Sequence, residues 1–406
     1  QPPVEFGRSL RKHYVQHAKY VNLNNGSFGT SPRAIYDVTA TIRESVELAI
    51  DQHMFITLRP AYDEALRVAS EFLGANEGFK QKSVTFVPNS THGSNAVLRS
   101  FGWKEGDRLL SVNTTYGAVL NNISYVTHVN PVEEIQVKLE FPLTNAQVLQ
   151  KIVAKVDELE AAATDGRGHR VHLAVMDLTF SVPGTLLPLR RLIEELHERG
   201  IRVLVDGAHG AGQIPIDIEG DLRPDYFVTN FHKWASVPRG CAFLYVNPDI
   251  QTEVKPPVIS YGYGTNNITD EFHWQGTFDH APYLTVPAAL AWRRVVAGGE
   301  ERIHDYCHKL AIEGAKRVAD ILGTEVLVEK LGTAEEQVGT MIDVYLPNSI
   351  DGKELGDETY ATMRETLLEK WNVATAPHKH EGQWFVRLSA QIFNDVRDFE
   401  YGGHAI

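Results

Sequence analysis

Residues 225–240 read DYFVTNFHKWASVPRG. Tyr226, Phe227 and Val228 make an apolar run of the kind a strand buried on both faces carries, and the run meets His232, Lys233 and Trp234. A lysine at the exit of a core strand either reaches solvent along its own stem or has a chemical partner waiting there. Its neighbours at the other strand ends decide between the two.

Outward from this stretch, short β-branched runs alternate with helical patterns from about residue 60 to 290, the arrangement that builds a parallel sheet covered on both faces. Strands are expected at VTFVP (84–88), RLLSVN (108–113), HLAVMDL (172–178), IRVLVD (201–206), YFVTN (226–230) and CAFLYV (241–246). Between two of them, LPLRRLIEELHERG (187–200) spaces Leu189, Leu192, Ile193 and Leu196 along one helical face and stops at Gly200. That is a βαβ unit. Beyond it, GGEERIHDYCHKLAIEGAKRVADILG (298–323) reads as one long amphipathic helix, followed by weaker strands around MIDVYLP (341–347) and QWFVRLSAQIF (383–393). The expected division is an N-terminal segment 1–55 that contributes to a small domain and an active-site lid, a large domain 56–292, and a small C-terminal α/β domain 293–406. The glycine break in VVAGGEE (295–301) marks the join.

Composition narrows the function. The 406 residues are 43% hydrophobic and 22% charged, with 39 Lys and Arg against 52 Asp and Glu, a formal charge of −13. No basic block could track a phosphate backbone, so nucleic acid is not an expected partner. No apolar run approaches the roughly 20 residues a bilayer-spanning helix needs, and QPPVEFGRSLRKHYVQH lacks an apolar signal core, so a cytoplasmic protein without membrane contact is expected. Cys241 and Cys307 are the two cysteines, too few for a disulfide framework.

In an open parallel sheet, ligands collect beyond the carboxyl ends of the strands. After 84–88 comes NSTHGSN (89–95), small hydroxyl residues opening a helix whose free N–H groups favour a phosphate. After 108–113 comes TTYGA with Tyr116; IRVLVD ends on Asp206 and continues GAHG; YFVTN delivers His232 and Lys233. Singly, each has a bland reading: Asn89, Ser90 and Thr91 as a helix cap, Asp206 as a turn cap, Tyr116 and Trp234 as core. Together they make a phosphate cradle, a carboxylate, a lysine and an aromatic plate on one rim. Pyridoxal 5'-phosphate needs that set: an anchored phosphate, a Schiff-base lysine, a carboxylate that keeps the pyridine nitrogen protonated, and a side chain over the ring.

The ordered motifs NSTHGSN, VDGAHG (205–210), NFHKW (230–234), QGTFD (275–279) and VRLSAQ (386–391) resemble the class V aminotransferase family of fold-type I pyridoxal phosphate enzymes. NLNNGSFGTSP (22–32) resembles the isopenicillin-N-epimerase-like branch. The resemblance spans nearly the whole chain. It implies a large domain with a mainly parallel seven-stranded sheet, a smaller C-terminal α/β domain, and a catalytic set of Lys233, Asp206 and Tyr116. Lys233 would hold the cofactor and Asp206 would pair with its ring nitrogen; His209 would reach the ring oxygen, and Ser90, Thr91 and His232 the phosphate. Tyr116 takes the ring-stacking position. Thr277 would approach the phosphate of a second subunit, which implies a homodimer with shared active sites. Arg387 would grip the α-carboxylate of an amino-acid substrate, with Asn25 and Gly26 closing over it. No metal is implied.

The branch does side-chain chemistry through a Cα carbanion. A desulfurase would need a nucleophilic cysteine on a mobile loop, yet Cys307 falls in a helix and Cys241 opens a strand. Two kinds of branch chemistry then compete: elimination with ring closure, as in the Mannich cyclase of loline alkaloid biosynthesis, and C–S cleavage, as in the hercynylcysteine sulfoxide lyases of ergothioneine biosynthesis. The fungal C–S lyases carry an arginine cluster where this chain has HKHEGQ (378–383), which reads as a solvated loop and tilts the expectation toward specialised metabolism. Aminotransfer and epimerisation are further alternatives. Outside this family, a dinucleotide oxidoreductase would need a glycine fingerprint that NSTHGSN does not spell, and a non-catalytic binding protein gives no reason for Lys233 and Asp206 at neighbouring strand ends.

Overall fold

A computed structural model describes residues 3–164, 169–350 and 352–406. Its main sheet comprises β1 (Val84–Val87), β2 (Asp107–Val112), β3 (Val132–Val137), β4 (Val171–Asp177), β5 (Arg202–Asp206), β6 (Tyr226–Asn230) and β7 (Ala242–Val246), in the spatial order β1-β7-β6-β5-β4-β2-β3. β7 runs antiparallel to both of its neighbours, and the other pairings are parallel. The expected sheet is thus observed. Its seventh strand, VEEIQV, carries no apolar run because β3 is an edge strand with polar side chains on its open face.

Alternation along the strands splits the core in two. Val203, Val205 and Phe227 join the hydrophobic cluster on one face, while Leu204, Tyr226 and Val228 join the cluster on the other. Helix α1 (Asn25–Phe28) precedes the sheet; α2 (Ser90–Ser100) follows β1, α3 (Gly117–Val129) follows β2, and α4 (Leu189–Glu198) links β4 to β5. In α4, Leu189, Leu192, Ile193 and Leu196 are buried as their spacing predicts. Gly200, at φ 73°, takes the left-handed turn that lets the Ile201 N–H reach back to the Leu196 carbonyl, 3.0 Å away.

After β6 the chain makes one turn of helix, α5 (Phe231–Trp234). Past Gly298 and Gly299 runs α6 (Glu300–Leu322), then β8 (Met341–Tyr345), β9 (Ala376–His380), β10 (Gln383–Ser389) and the closing helix α7 (Val396–Ala405). β10 lies between β9 and β8, antiparallel to both. HKHEGQ is therefore not a solvated loop: His378 pairs with Phe385 and His380 with Gln383 across a tight turn at Glu381 and Gly382. The buried strand β10 imposes that pairing, and the polar sequence of its partner hides it. Val21 and Asn22 pair in parallel with Val373 and Ala374 in a separate two-stranded sheet, which ties the segment around α1 to the chain just before β9.

Candidate active site

Two carboxylates stand side by side at the rim. Asp177 ends β4, Asp206 ends β5, and the two are register partners. Both are 2% exposed. Asp206 Oδ1 accepts from the Ala208 N–H at 2.9 Å, while Asp177 is met by the Thr115 hydroxyl and the Tyr116 backbone N–H, with Oδ2 left unpartnered. Burial raises the pKa of each, and the Asp206 charge raises Asp177 further; Lys233 pulls Asp206 back down. Like charges this close share protons as a pair.

Lys233 stands on α5, one turn past the end of β6. Its Nζ lies 3.3 Å from His209 Nε2, and the Trp234 indole N–H donates to His209 Nδ1 at 3.4 Å. A neutral imidazole that accepts at Nδ1 carries its proton on Nε2, so the network calls for a neutral lysine amine as the acceptor. Burial favours that state in both groups. It drives the His209 pKa well below the usual histidine range, and with help from Arg387 it lowers Lys233 to about 8, against the opposing pull of Asp206 and Asp177.

The start of α2 faces the same rim. Asn89 caps it by accepting from the His92 N–H at 2.9 Å, and the Ser90 N–H donates to Asn230 Oδ1 at 2.9 Å, which fixes the helix start against the end of β6. Ser90 Oγ is buried and has no partner; Thr91, the second residue of the helix, is half-buried. His232 Nδ1 sits 2.9 Å from the Cys241 carbonyl, to which it donates, leaving Nε2 free, and burial takes its pKa down to about 4.

Arg387, in β10, is 3% exposed. Its Nη1 donates to the Ser181 carbonyl at 2.8 Å and Oγ at 3.1 Å, and its Nη2 to Asn24 Oδ1 and Ser27 Oγ, both at 3.0 Å. Nε has no partner. Asp343 is its register neighbour on β8 but turns one carboxylate oxygen to the Gly184 N–H and the other toward His378 at 3.5 Å. A buried guanidinium held by neutral oxygens, with no carboxylate bonded to it among the described residues, is poised for an anion. Burial lowers its pKa, Asp343 raises it, and Arg364 lowers it again.

Lys233, Asp206, His209, His232, Ser90 and Arg387 thus converge through short contacts or mutual electrostatic influence. Asn25 and Gly26 lie on α1, but their contacts turn inward: Asn25 Nδ2 donates to the Lys233 carbonyl at 2.9 Å and the Gly26 N–H to Ser389 Oγ at 3.3 Å. Their neighbours Asn24 and Ser27 reach Arg387 instead. Tyr116 caps the start of α3 with its ring half in solvent. Thr277 is exposed, and no contact joins it to the rim among the described residues, although nearby Gln275 meets His92 of α2. Sequence reasoning passed over Asp177, Thr115, Asn24, Ser27 and Ser181. Asp177 alone left a signal: it closes HLAVMD as Asp206 closes IRVLVD.

Other chemistry finds no footing. Cys241 and Cys307 are buried free thiols whose pKa burial raises, Cys307 to about 12, so neither supplies a thiolate. Among the described residues no cluster of His, Cys, Asp or Glu could hold a metal, and no helix is long and apolar enough to cross a membrane.

Comparison with known proteins shows the family. The family described as Aminotransferase class-V matches residues 51–354. The L-cysteine desulfhydrase-like protein lolT1 of Epichloe uncinata is 29% identical, across 99% of this chain and 95% of that protein. Hercynylcysteine sulfoxide lyase of Schizosaccharomyces pombe is 25% identical, across 98% and 96%. Among solved structures, a C-DES mutant with glycine covalently linked to its PLP cofactor superposes with a TM-score of 0.78 at 16% identity, covering 97% of this chain and 98% of the other.

Proposed function

Because the chain belongs to the class-V aminotransferase family and is a pyridoxal-phosphate-dependent enzyme, we propose that it cleaves the C–S bond of a cysteine-like amino acid by elimination. The observation that carries the reading is the pairing of a half-buried, easily neutralised lysine with a buried arginine that lacks a carboxylate: a base for Cα beside a seat for an α-carboxylate.

The donor set fits the cofactor. The orphan Ser90 hydroxyl and the first turn of α2, with Thr91, would receive the phosphate. His232 Nε2 would join them in its protonated form, which the phosphate charge would stabilise, because Nδ1 is committed to the Cys241 carbonyl. Asp206 would hold a proton at the ring nitrogen, with Asp177 beside it to keep one in the pair; His209 would reach the ring oxygen and Tyr116 would cover the ring. Pyridoxal phosphate, when bound, supplies an electron sink conjugated to the substrate Cα.

Arg387, oriented by Asn24, Ser27 and Ser181, grips the substrate carboxylate and sets the Cα–H bond toward Lys233. Lys233 Nζ, which burial keeps easy to neutralise, would take the Cα proton. The Cβ–S bond then breaks, the sulfur leaves with the bonding electron pair, and the unsaturated fragment hydrolyses to a 2-oxo acid and ammonia. In a ring-forming variant of the same chemistry, the Mannich-type outcome of specialised metabolism, the fragment is captured before hydrolysis.

Thr277 lies on an exposed loop with Phe278, and Ile259, Tyr261 and Tyr263 are also open to solvent, Tyr261 at 92%. A second copy covering this region brings Thr277 to the partner's phosphate, so the active unit is a homodimer.

Mass spectrometry of products from L-cysteine and S-alkyl-L-cysteines in deuterated water tests the reaction. Pyruvate and free thiol in equal amounts are expected. Amino transfer to a 2-oxo acid, or deuterium exchange at Cα with the C–S bond intact, would refute C–S cleavage; a ring-closed product would establish the cyclising variant instead.

A further inference from the structure

On the outer side of α1 lies a cavity of about 460 Å³ whose lining includes Arg239, Arg364, Asn24, Gln16 and Thr375, and no acidic residue. In a chain of net charge −13, two arginines facing one cavity without a carboxylate call for an explanation. Arg364 makes no hydrogen bond or ion pair among the described residues, and Arg239 makes one, from Nη1 to the Gly29 carbonyl at 3.3 Å. Two of its lining residues carry unsatisfied polar groups behind that surface: the hydroxyl of Thr375, a residue 1% exposed, and both ends of the Gln16 amide are shielded from solvent and have no partner.

The cavity adjoins the candidate active site. Asn24 lines it and also accepts from Arg387 Nη2 at 3.0 Å. Its two arginines act electrostatically on the site as well, Arg364 on Arg387 and Arg239 on His232. A ligand held at Arg387 by its α-carboxylate therefore has, one side chain away, a second cationic seat.

We propose that this cavity binds a carboxylate at the far end of the substrate's sulfur substituent, so that the preferred substrate is an S-substituted cysteine with two carboxylates. The proposal deepens the C–S cleavage reading and rests on it for the substrate's identity. Arg364 and Arg239 would bind the distal carboxylate by charge-assisted hydrogen bonds. Both arginines are exposed at the rim, so the attraction weakens with ionic strength.

The test compares S-(2-carboxyethyl)-L-cysteine with its amide, S-(2-carbamoylethyl)-L-cysteine, which matches it in shape and lacks the distal charge. Binding to the holoenzyme is measured by calorimetry, and cleavage by thiol release. The acid should bind about tenfold tighter than the amide at low salt, a difference of about 1.4 kcal/mol. Arg364→Gln and Arg239→Gln should each shrink that ratio, and the double variant should bring it to about one, since neither surface side chain supports the core. Equal binding of acid and amide by the unaltered protein, or a ratio unmoved in the double variant, would overturn the proposal. Propionate that binds with the same arginine dependence while acid and amide bind alike would overturn it too, by making the cavity a free-anion site. Cleavage without acid preference sinks the cavity's role and leaves the lyase; preference in binding without cleavage of either compound sinks the lyase and leaves the cavity.

Discussion

At the residue scale, the chemistry turns on how burial sets the charge of Lys233. With its pKa at about 8, roughly one amine in ten is neutral at pH 7, against fewer than about one in a thousand for an ordinary lysine. Covalent attachment of pyridoxal phosphate to cofactor-free protein should therefore speed up about tenfold per pH unit toward pH 8 and level off above it, which absorbance kinetics would follow. A midpoint near the ordinary lysine value would contradict this. The sign for stability is opposite to that of an ion-paired lysine. Below about pH 8 the folded and unfolded states both carry the proton; between about 8 and the unfolded lysine value near 10.5 the unfolded chain binds more protons, so the cofactor-free fold gains stability as pH rises. Asp206→Asn should lower the attachment midpoint, because Asp206 is the charged carboxylate that holds the lysine's proton. Asp206→Ala should keep the fold and slow turnover by roughly 10²- to 10⁴-fold, the range of lost acid–base tuning, and unchanged turnover would refute its role.

At the scale of elements, α1 and α5 are locked together by their backbones. Gly29, at φ 65°, passes so close to α5 that a Cβ there would lie 1.7 Å from the His232 carbonyl oxygen. Gly29→Ala must therefore displace the segment that carries Asn24 and Ser27, and should cost about 2–4 kcal/mol in denaturant unfolding. It should also raise KM for the amino acid more than it alters cofactor absorbance, since Arg387 loses its orienting contacts while Ser90 and Asp206 keep theirs. A substitution that leaves both stability and KM unchanged would show that the segment does not position Arg387. This coupling was only half legible. NLNNGSFGTSP marked the segment as functional, but which of its side chains face Arg387 depends on one turn of helix whose orientation is set by packing against Trp234 and Met341. The β9–β10 hairpin teaches the same lesson: APHKH has no strand pattern of its own, and its register comes from the buried VRLS beside it.

At the scale of the whole molecule, the sheet order brings β1, β4, β5 and β6 to one rim, although their end residues span positions 87 to 230. The homodimer reading belongs to this scale. Sedimentation should give twice the 45.4 kDa of one chain, and replacing exposed Tyr261 and Tyr263 with Glu should yield monomers with weakened cofactor retention. A fully active monomer would refute the shared site. Local sequence sufficed for six of the seven strands of the main sheet, because strands buried on both faces must be apolar runs, and for Lys233, Asp206 and Ser90, because a polar residue just past such a run can only stand at the rim. Tertiary structure alone decided what surrounds them: the second carboxylate of Asp177, the neutral cage of Arg387 and the arginine-lined cavity behind Asn24. Those depend on which strands lie adjacent and how segments hundreds of residues apart pack, and neither a local pattern nor the order of motifs along the chain carries that information.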